Sequence, residues 1–325
     1  MKALVCEAYG SVDDLVYRDM PDPVAGKGQV VVQVKGVGVN FPDGLVVEGK
    51  YQAKPPVPFM PGGEFSGEII TLGEGVNKFS IGDRVLGYFP GFGAYAEQVC
   101  GPAEAVFKMP DSMSFEHGAG LICATGTAHH ALKQRAQLQE GETLVVLGAA
   151  GGTGIAAVQI GKAMGARVIA VCSTEKKLAF AKSQGADEGI NYSDCDLKQA
   201  IKELTGGKGA DVVYDAVGGD AFDACSRAMA WNGRLLVVGF ASGRIPELPV
   251  NLTLVKGYSL IGVFWGTFTE KQPQDHADNM RELFQWYENG EVVPFIDAEF
   301  SLEDGINAIK KVTSRNVVGK VVIKP

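Results

Sequence analysis

The chain has 325 residues, of which 46% are hydrophobic and 21% charged, a composition that is typical of folded proteins and excludes a disordered one. Domains commonly contain about 100–200 residues, so this length allows two of them. The 30 Lys and Arg residues against 38 Asp and Glu residues give a net charge of −8. Because proteins that coat nucleic acid or anionic lipid are usually basic, we expect neither nucleic acid nor a membrane as a partner.

The cysteines do not have the spacing of a metal site or a disulfide framework. They lie at positions 6, 100, 123, 172, 195 and 225, and no two of them form a CxxC pair. The N-terminal residues turn polar too early for a signal peptide. The longest charge-free stretch, residues 143–161, has four glycines within residues 148–154, which favours strand, loop and helix over a membrane span. We therefore predict a reduced, cytoplasmic protein.

The first third of the chain has the pattern of an antiparallel β-domain. Short runs alternate β-branched with polar or small residues and are separated by glycine turns; they cover residues 28–39, 64–72, 84–87 and 95–100. This spacing predicts a compact barrel or sandwich. A last apolar run, residues 319–324, needs a sheet to join, and we expect it to join this N-terminal domain.

The alternation of β-branched with polar or small residues ends near residue 124. Five runs are apolar on both faces, at residues 143–147, 167–172, 211–217, 234–240 and 259–263. Helical stretches at 154–165, 175–184 and 197–204 alternate with them. This alternation predicts a doubly wound α/β domain with a parallel sheet over residues 125–266. One further helix is expected around residues 278–288.

A glycine-rich loop, Gly148–Gly154 (GAAGGTG), follows the first strand of this domain and opens a helix. Glycine allows the backbone to approach a pyrophosphate, and the helix N-terminus offers unpaired N–H donors to it. The loop therefore predicts a bound dinucleotide, with a purely structural glycine turn as the alternative. The residues expected to hold its phosphates are Ala150, Gly151, Gly152, Thr153 and Gly154.

The end of the second strand bears on the choice between NAD and NADP. An NAD site usually has an acidic residue there, about twenty residues after the loop, to bind the ribose 2′-OH. Here Ser173 and Thr174 end the strand, and Lys176 and Lys177 follow. A hydroxyl and a cation suit a 2′-phosphate, which favours NADPH. Glu175 could instead accept a hydrogen bond from a 2′-OH or cap the helix.

Several motifs together resemble the medium-chain dehydrogenase/reductase superfamily. They are Gly38–Asp43 (GVNFPD), Met60–Gly67 (MPGGEFSG), Gly82–Val85 (GDRV), Gly93–Glu97 (GAYAE), Asp215–Asp220 (DAVGGD) and Gly319–Val322 (GKVV). Ala149–Gly154 is similar to the zinc-free quinone oxidoreductase (zeta-crystallin-like) branch. Within that branch, Gln52–Gly67 and Leu235–Gly243 resemble the subgroup called quinone oxidoreductase-like protein 2. The resemblance covers essentially the whole chain.

The resemblance implies a GroES-like β-barrel catalytic domain, residues 1–124 and 267–325, that is split in sequence around a Rossmann NADPH-binding domain, residues 125–266. It places the substrate in the cleft between the two domains. It also implies a homodimer. The free edge of the sixth Rossmann strand, near residues 259–263, could pair with its copy across a two-fold axis.

The resemblance also assigns residues to the cofactor. Lys177, Tyr192 and Arg315 match positions that hold the 2′-phosphate in this branch, although Tyr192 and Arg315 alone would be interpreted as a packed aromatic and a surface charge. Asn40 matches a position near the nicotinamide ribose. Three further residues fall where the family lines the nicotinamide: Thr127, Phe240 and Ser242.

No metal is expected. Alcohol dehydrogenases of the superfamily place zinc ligands where this sequence has Asn40, Gly63 and Leu121, and a catalytic zinc needs about three protein ligands. Cys123 is the nearest thiol and is interpreted as a buried structural residue. Among the histidines, His129 and His130 are expected on a packed or partly exposed helix face.

Without zinc, nothing lowers the pKa of an alcohol, so alcohol dehydrogenation is disfavoured. The remaining chemistry is hydride delivery to a substrate activated by conjugation, a quinone or another α,β-unsaturated carbonyl, and its product can take a proton from water. Members of the branch often carry a Tyr five residues after Asn40, where this chain has Leu45. Asn40, Asp43, Tyr51 and Tyr88 remain as candidate substrate-contact residues; the last three could equally be turn or barrel-surface residues.

Two other functions remain open. The first is an enoyl-thioester (enoyl-CoA) reductase, which would need a basic patch for a CoA or carrier phosphate, to which Lys50, Lys54 and Arg244 could contribute. The second is a non-catalytic NADPH-binding sensor or structural protein. It remains open because this chain has Leu45 where members of the branch often carry a Tyr.

Overall fold

The computed structural model describes all 325 residues, Met1–Pro325, and the chain divides into two compact units. Unit 1 comprises Met1–Ala124 and Pro294–Pro325, and unit 2 comprises Thr125–Val293. No helix of the chain combines the length and the apolar character that crossing a bilayer requires.

Unit 1 is built on a seven-stranded sheet beside a small two-stranded one. Its strands are β1 (Lys2–Val5), β2 (Val16–Asp19), β3 (Gln29–Val39), β4 (Glu64–Leu72), β5 (Arg84–Tyr88), β6 (Gln98–Pro102), β7 (Val106–Lys108), β14 (Ile296–Ser301) and β15 (Lys320–Lys324). Its helices are α1 (Phe41–Val47) and α10 (Gly305–Thr313), and α2 (Phe115–His130) begins in it. The main sheet has the order β14-β15-β3-β4-β5-β7, with β6 also paired to β3.

The C-terminal strand joins the N-terminal sheet, as the sequence predicts. β15 runs antiparallel to β3, with Val321 opposite Val39 and Val322 opposite Gly38. The inward side chains of β3, including Val30, Val32 and Val34, are buried in a single apolar core with residues of β4, β5 and β15. This pairing brings the first residue of β15 beside the last residues of β3.

Unit 2 contains a six-stranded parallel sheet. Its strands are β8 (Thr143–Leu147), β9 (Arg167–Cys172), β10 (Glu188–Asn191), β11 (Ala210–Asp215), β12 (Met229–Val237) and β13 (Ser259–Gly262). Its helices are α3 (Gly152–Ala163), α4 (Glu175–Ser183), α5 (Leu197–Leu204), α6 (Gly219–Ser226), α7 (Asn251–Lys256), α8 (Trp265–Lys271) and α9 (Pro273–Glu288). A π-helical turn, Ala131–Arg135, continues α2.

The strand order in unit 2 is β10-β9-β8-β11-β12-β13, and every neighbouring pair is parallel. The order reverses between β8 and β11, which is the point where doubly wound sheets bind nucleotides. The predicted Rossmann and GroES-like architecture is therefore confirmed.

The Rossmann domain is predicted to end at residue 266, whereas the structure groups residues 267–293 with unit 2. Side chains of α9 explain this boundary. Gln134 Nε2 donates to Asn279 Oδ1 at 2.7 Å, and His129 Nε2 lies 2.7 Å from Glu282 Oε2. The long-range hydrogen bonds of α9 thus tie it to the unit that contains β8–β13.

Five helices were not predicted: α1, α6, α7, α8 and α10. α8 carries aromatic and β-branched residues with a glycine, which have low helix propensity, and Pro273 separates it from α9. α10 is short, and its buried face is only Gly305, Ala308 and Ile309. In both cases packing rather than propensity stabilises the helix.

Candidate functional site

The glycine loop has the geometry that a phosphate site requires. Gly148 follows β8 with φ of +66°, a left-handed conformation that favours glycine. A Cβ on Gly154 would lie 2.2 Å from the carbonyl oxygen of Gly148, so only glycine fits there. Gly151 is the N-cap of α3 and has no side chain to bond the first N–H groups of the helix. Helix N-termini without a side-chain cap are common binding sites for anions.

Three loops meet at the carboxyl edge of the sheet, on the side where the strand order reverses. A Cβ on Gly148 would lie 3.0 Å from Val217 Cγ2, so the loop after β8 contacts the loop after β11. The N–H of Ser242 donates to the carbonyl of Val217 at 2.9 Å, which adds the loop after β12. A Cβ on Gly218 would lie 3.1 Å from the ring of Phe240. The structure thus brings Ser242 and Phe240 close to the glycine loop.

Asp215 stabilises this arrangement, a role that sequence reasoning did not assign. It is the last residue of β11, and its Oδ1 accepts hydrogen bonds from the N–H groups of Val217 at 2.7 Å and Gly218 at 2.8 Å. Burial raises the pKa of this carboxyl to about 6, and the two backbone hydrogen bonds oppose the rise. The signal in the sequence was an acidic residue at the end of an otherwise apolar strand.

The side chains of Thr174 and Glu175, which follow β9, form hydrogen bonds within the protein. Thr174 is the N-cap of α4, and its Oγ1 accepts from the N–H of Lys177 at 3.3 Å. Glu175 Oε1 accepts from Asn191 Nδ2 at 3.1 Å. The carboxylate of Glu175, for which two roles were left open, therefore bonds a side chain of the neighbouring strand end.

The candidate 2′-phosphate residues lie in three places along the chain. Ser173 and Lys177 follow β9, and Tyr192 directly follows β10, whose register pairs Asn191 with Cys172. The ring of Tyr192 is 39% exposed. Arg315 belongs to unit 1 and follows α10 with φ of +60°. Unit 2 thus brings Ser173, Lys177 and Tyr192 to one edge of its sheet.

Two of the other predicted cofactor residues lie in helices of unit 2. Thr127 is part of α2. Thr153 lies in the first turn of α3, and its Oγ1 is 2.5 Å from the hydroxyl of Tyr214 on β11. This hydrogen bond anchors the start of α3 to the neighbouring strand.

In unit 1, the side chain of Asn40 is hydrogen-bonded to both members of a buried ion pair, Glu64 and Lys320. Lys320 Nζ lies 2.8 Å from Glu64 Oε2, and it donates to Asn40 Oδ1 at 2.8 Å. Asn40 Nδ2 donates to Glu64 Oε2 at 2.8 Å and to the carbonyl of Gly38 at 3.2 Å. Glu64 and Lys320 are 0% and 4% exposed. Because both amide hydrogens are used, Asn40 can offer a ligand only its remaining oxygen lone pair.

Gly38 makes room for this network. A Cβ at this position would lie 2.0 Å from the carbonyl of Ala119 and 2.2 Å from Glu64 Oε2. The other carboxylate oxygen, Glu64 Oε1, accepts from the N–H of Cys123 at 2.8 Å. The network therefore joins β3, β4, β15 and α2.

Asp43 lies on the other side of Asn40. Its Oδ2 accepts from the N–H of Asn40 at 2.8 Å and from the hydroxyl of Tyr95 at 2.9 Å. Burial raises the pKa of Asp43 to about 6, and these hydrogen bonds and Lys320 lower it. Asp43 is nearly fully buried, so its position suits support of Asn40.

Tyr51 and Tyr88 are partly exposed. Burial raises the pKa of both phenols, and the negative charge of Asp43 adds to the rise. Cys123, interpreted from the sequence as buried, is partly exposed. Burial, followed by the charge of Glu64, raises the pKa of its thiol. Tyr88 packs against Gly63, where a Cβ would lie 2.9 Å from Tyr88 Cε2.

Sequence reasoning missed three residues of this region: Glu64, Tyr95 and Lys320. The first and the last were visible as a charged residue at the start of an apolar strand. Tyr95 gave no such signal, because its contact with Asp43 joins positions 52 residues apart. Its ring packs so closely on Gly62 that a Cβ there would lie 2.2 Å from Tyr95 Cδ1.

The residues at the family's metal positions do not fit a zinc ion. The chain contains no group of three or more His, Cys, Asp or Glu side chains placed to hold a metal. The amide of Asn40 is held by Lys320 and Glu64. A Cβ on Gly63 would lie 2.8 Å from the carbonyl of Phe89, so no ligand side chain can be accommodated there. Leu121 is fully buried.

Comparison with known proteins identifies the family. Residues 26–111 match the alcohol dehydrogenase GroES-like domain, and residues 152–286 match the zinc-binding dehydrogenase domain. The chain is 41% identical to a quinone oxidoreductase-like protein 2 homolog from Nematostella vectensis, over 99% of this chain and 88% of the relative. It is 33% identical to a quinone oxidoreductase from Pseudomonas aeruginosa, over 100% and 99% of the two chains.

A solved structure gives the same result. Escherichia coli quinone oxidoreductase complexed with NADPH is 26% identical, with a TM-score of 0.94 and complete coverage of both chains. With the glycine loop at the strand reversal and the relatives above, the cofactor is a nicotinamide dinucleotide. The chain belongs to the quinone oxidoreductase branch of the medium-chain dehydrogenase/reductase superfamily, and it is an oxidoreductase of that type.

Proposed function

We propose that this protein is an NADPH-dependent reductase that delivers hydride to quinones or other α,β-unsaturated carbonyls without a metal. The observation that carries the proposal is the network of Asn40, Glu64 and Lys320, which engages the side chain at one of the sequence positions where alcohol dehydrogenases of the superfamily place a zinc ligand. An ammonium group bonded to a carboxylate and an amide oxygen cannot polarise an alcohol as a zinc ion does. The substrate must therefore be electrophilic before it binds.

When bound, the cofactor supplies the hydride. The residues of this chain orient the two reactants and exclude water from them. We assign Asn40, through its remaining oxygen lone pair, to the cofactor's nicotinamide ribose. Tyr51 and Tyr88 are the polar groups that we assign to the substrate. Asp43 holds Asn40 in place by accepting a hydrogen bond from its backbone N–H. The reduced product, an enolate or hydroquinone anion, takes its proton from water.

Three features of unit 2 favour NADPH over NADH. Ser173 and Lys177 lie at the strand edge where a ribose phosphate would bind, and Lys177 is in the first turn of α4. Tyr192 is exposed beside them. The one nearby acidic residue of that helix, Glu175, is bonded to Asn191. The relative from E. coli was solved with NADPH, which supports the same preference.

The alternative functions have less support. Of the three basic residues that an enoyl-thioester reductase could use, Lys50, Lys54 and Arg244, two are in ion pairs, and Lys50 is paired with Glu48 at 2.9 Å. Arg244 is paired with Asp220 and Asp223 at 2.9 and 2.5 Å. A non-catalytic NADPH-binding protein would lack turnover with every electron acceptor, so one assay separates it from a reductase.

We further propose a homodimer in a reducing cytoplasm. β13 pairs only with β12, so its other edge is open. The side chain of Leu260 is 43% exposed on this strand, and α7 exposes Leu254 and Val255 more fully. Pairing with a second copy would cover both the strand edge and these side chains. All six cysteines are free thiols.

The function is tested by following NADPH oxidation with metal-free purified protein. The panel contains a small benzoquinone, a short enal and crotonyl-CoA, each repeated with NADH. Turnover of the quinone or the enal with a preference for NADPH supports the proposal. Turnover of crotonyl-CoA alone supports the thioester reductase, and NADPH binding without oxidation by any acceptor supports the non-catalytic alternative.

A further inference from the structure

We propose that Asn191 determines the choice between NADPH and NADH by holding the Glu175 carboxylate away from the cofactor's ribose. The inference rests on the proposed function, because it deepens the NADPH preference stated there. Asn191 ends β10 and lies beside Cys172, which ends β9. Glu175 begins α4, directly after β9. The two side chains therefore meet at the strand edge where dinucleotide-binding domains bind the adenosine ribose.

The amide of Asn191 is engaged on both sides. Its Nδ2 donates to Glu175 Oε1 at 3.1 Å and to Asp194 Oδ2 at 2.5 Å. Its Oδ1 accepts from the N–H of Ser193 at 3.2 Å. A flipped amide would point its oxygen at two carboxylates and its NH₂ group at an N–H donor. The surrounding groups thus fix one orientation of the amide, and this orientation holds Glu175.

A free Glu175 carboxylate would have the properties of an NADH site. It lies about twenty residues after the glycine loop, where NAD-binding domains place the acidic residue that accepts from the ribose 2′-OH. A free carboxylate there would also repel the 2′-phosphate of NADPH. Bonded to Asn191, the carboxylate is directed to the end of β10. The phosphate site then keeps the favourable charge of Lys177 at the start of the same helix.

The turn that contains Asn191 is itself held in place. Ser193 Oγ donates to the carbonyl of Ser173 at 3.0 Å, which ties the loop after β10 to the end of β9. The N–H of Tyr192 donates to the carbonyl of Cys172 at 3.1 Å. Because these two contacts to the end of β9 do not involve the Asn191 side chain, its removal is expected to release Glu175 while the loop stays attached to β9.

The test measures dissociation constants of NADPH and NADH by titration of the reduced cofactor's fluorescence, which requires no turnover. In Asn191→Ala we expect the ratio of the two constants to move towards NADH by on the order of tenfold, the effect of one charge-assisted hydrogen bond. Asn191→Asp is the second variant. It keeps an acceptor for the Ser193 N–H but cannot donate to Glu175, and we expect a shift in the same direction.

Two double variants identify the group that is released. The Asn191→Ala/Glu175→Ala protein is expected to show no shift relative to Glu175→Ala alone, because the carboxylate is absent from both. The Asn191→Ala/Asp194→Ala protein is expected to keep the shift. Thermal melting of each variant checks that the fold is unchanged.

The possible results distinguish the role of Asn191 from the NADPH preference on which it rests. A wild-type protein that binds NADH as well as NADPH contradicts the proposed NADPH preference. A wild-type preference for NADPH that persists unchanged in folded Asn191→Ala and Asn191→Asp overturns the role of Asn191. A shift of equal size in the Glu175→Ala background also overturns it, because the effect then does not act through Glu175.

Discussion

Lys320 and Glu64 form an ion pair at 2.8 Å in the interior of unit 1, although they lie 256 residues apart in sequence. Lys320 begins the C-terminal strand β15, and Glu64 begins β4. Asn40 lies between them and bonds both side chains. A buried pair of this kind contributes little net stability relative to apolar residues, but the loss of one partner leaves an unpaired buried charge. Its role here is to fix the Asn40 amide.

Lys320→Met is therefore expected to lower the free energy of unfolding by about 3–5 kcal/mol, because Glu64 is left charged and unpaired. The double variant Lys320→Met/Glu64→Gln removes both charges and is expected to recover much of this loss. Chemical denaturation measures both values. Equal losses in the single and the double variant would show that the ion pair is not the source of the effect.

Asp43→Asn is expected to change how stability depends on pH. The pKa of Asp43 is raised by burial from 3.8 to about 6, so the folded protein binds a proton more tightly than the unfolded chain. This contribution makes stability fall as pH rises from about 4 to about 6, by up to about 3 kcal/mol. The Asp43→Asn variant has no titrating carboxyl at this position and therefore lacks this pH-dependent contribution to stability.

The measurement for Asp43 is the difference between the wild-type and Asp43→Asn unfolding free energies across that pH range. Taking the difference removes the contribution of Asp215, whose pKa is also raised to about 6. A difference that is constant from pH 4 to pH 7 would contradict the prediction.

Gly154→Ala is expected to weaken dinucleotide binding at least about tenfold, because its Cβ would lie 2.2 Å from the Gly148 carbonyl and deform the loop. Gly266→Ala is the matched control, since a Cβ there meets nothing within 4 Å. Cofactor fluorescence titration gives both constants. Unchanged binding in Gly154→Ala would argue against phosphate binding by this loop.

Lys177→Ala is expected to weaken NADPH binding by about tenfold or more while it leaves NADH binding nearly unchanged, because only NADPH carries the 2′-phosphate. Lys176→Ala serves as the control for loss of a neighbouring positive charge. Losses of equal size for the two cofactors would exclude a contact between Lys177 and the phosphate.

Leu260→Pro is expected to shift a dimer to a monomer. The N–H of Val263 donates to the carbonyl of Val237 on β12, so in this alternating strand the N–H of Leu260 faces the open edge, and proline there removes a donor that pairing with a second copy would use. Light scattering at micromolar concentration measures the mass of both proteins, and thermal melting reports whether the variant folds. A monomeric mass for the wild-type protein would contradict the dimer itself.

Much of the fold of unit 2 could be predicted from local patterns. The strands Thr143–Leu147 and Arg167–Cys172 and the helix Leu197–Leu204 have the predicted bounds, because apolar runs and helical periodicity are local signals. His276 shows the limit of such signals: it lies among polar residues in the sequence, but it is buried against the rings of Trp265 and Phe268. Burial there depends on how α8 packs on α9.

The sequence by itself determined the two architectures, the family and the dinucleotide loop, since each depends on residues close together in the chain. The tertiary structure decided which side chains act together. It paired Lys320 with Glu64, Tyr95 with Asp43 and Asn191 with Glu175. Hydrogen bonds and ion pairs require approach to about 3 Å. Residues distant in sequence reach that separation only through strand pairing and packing, which no local pattern records.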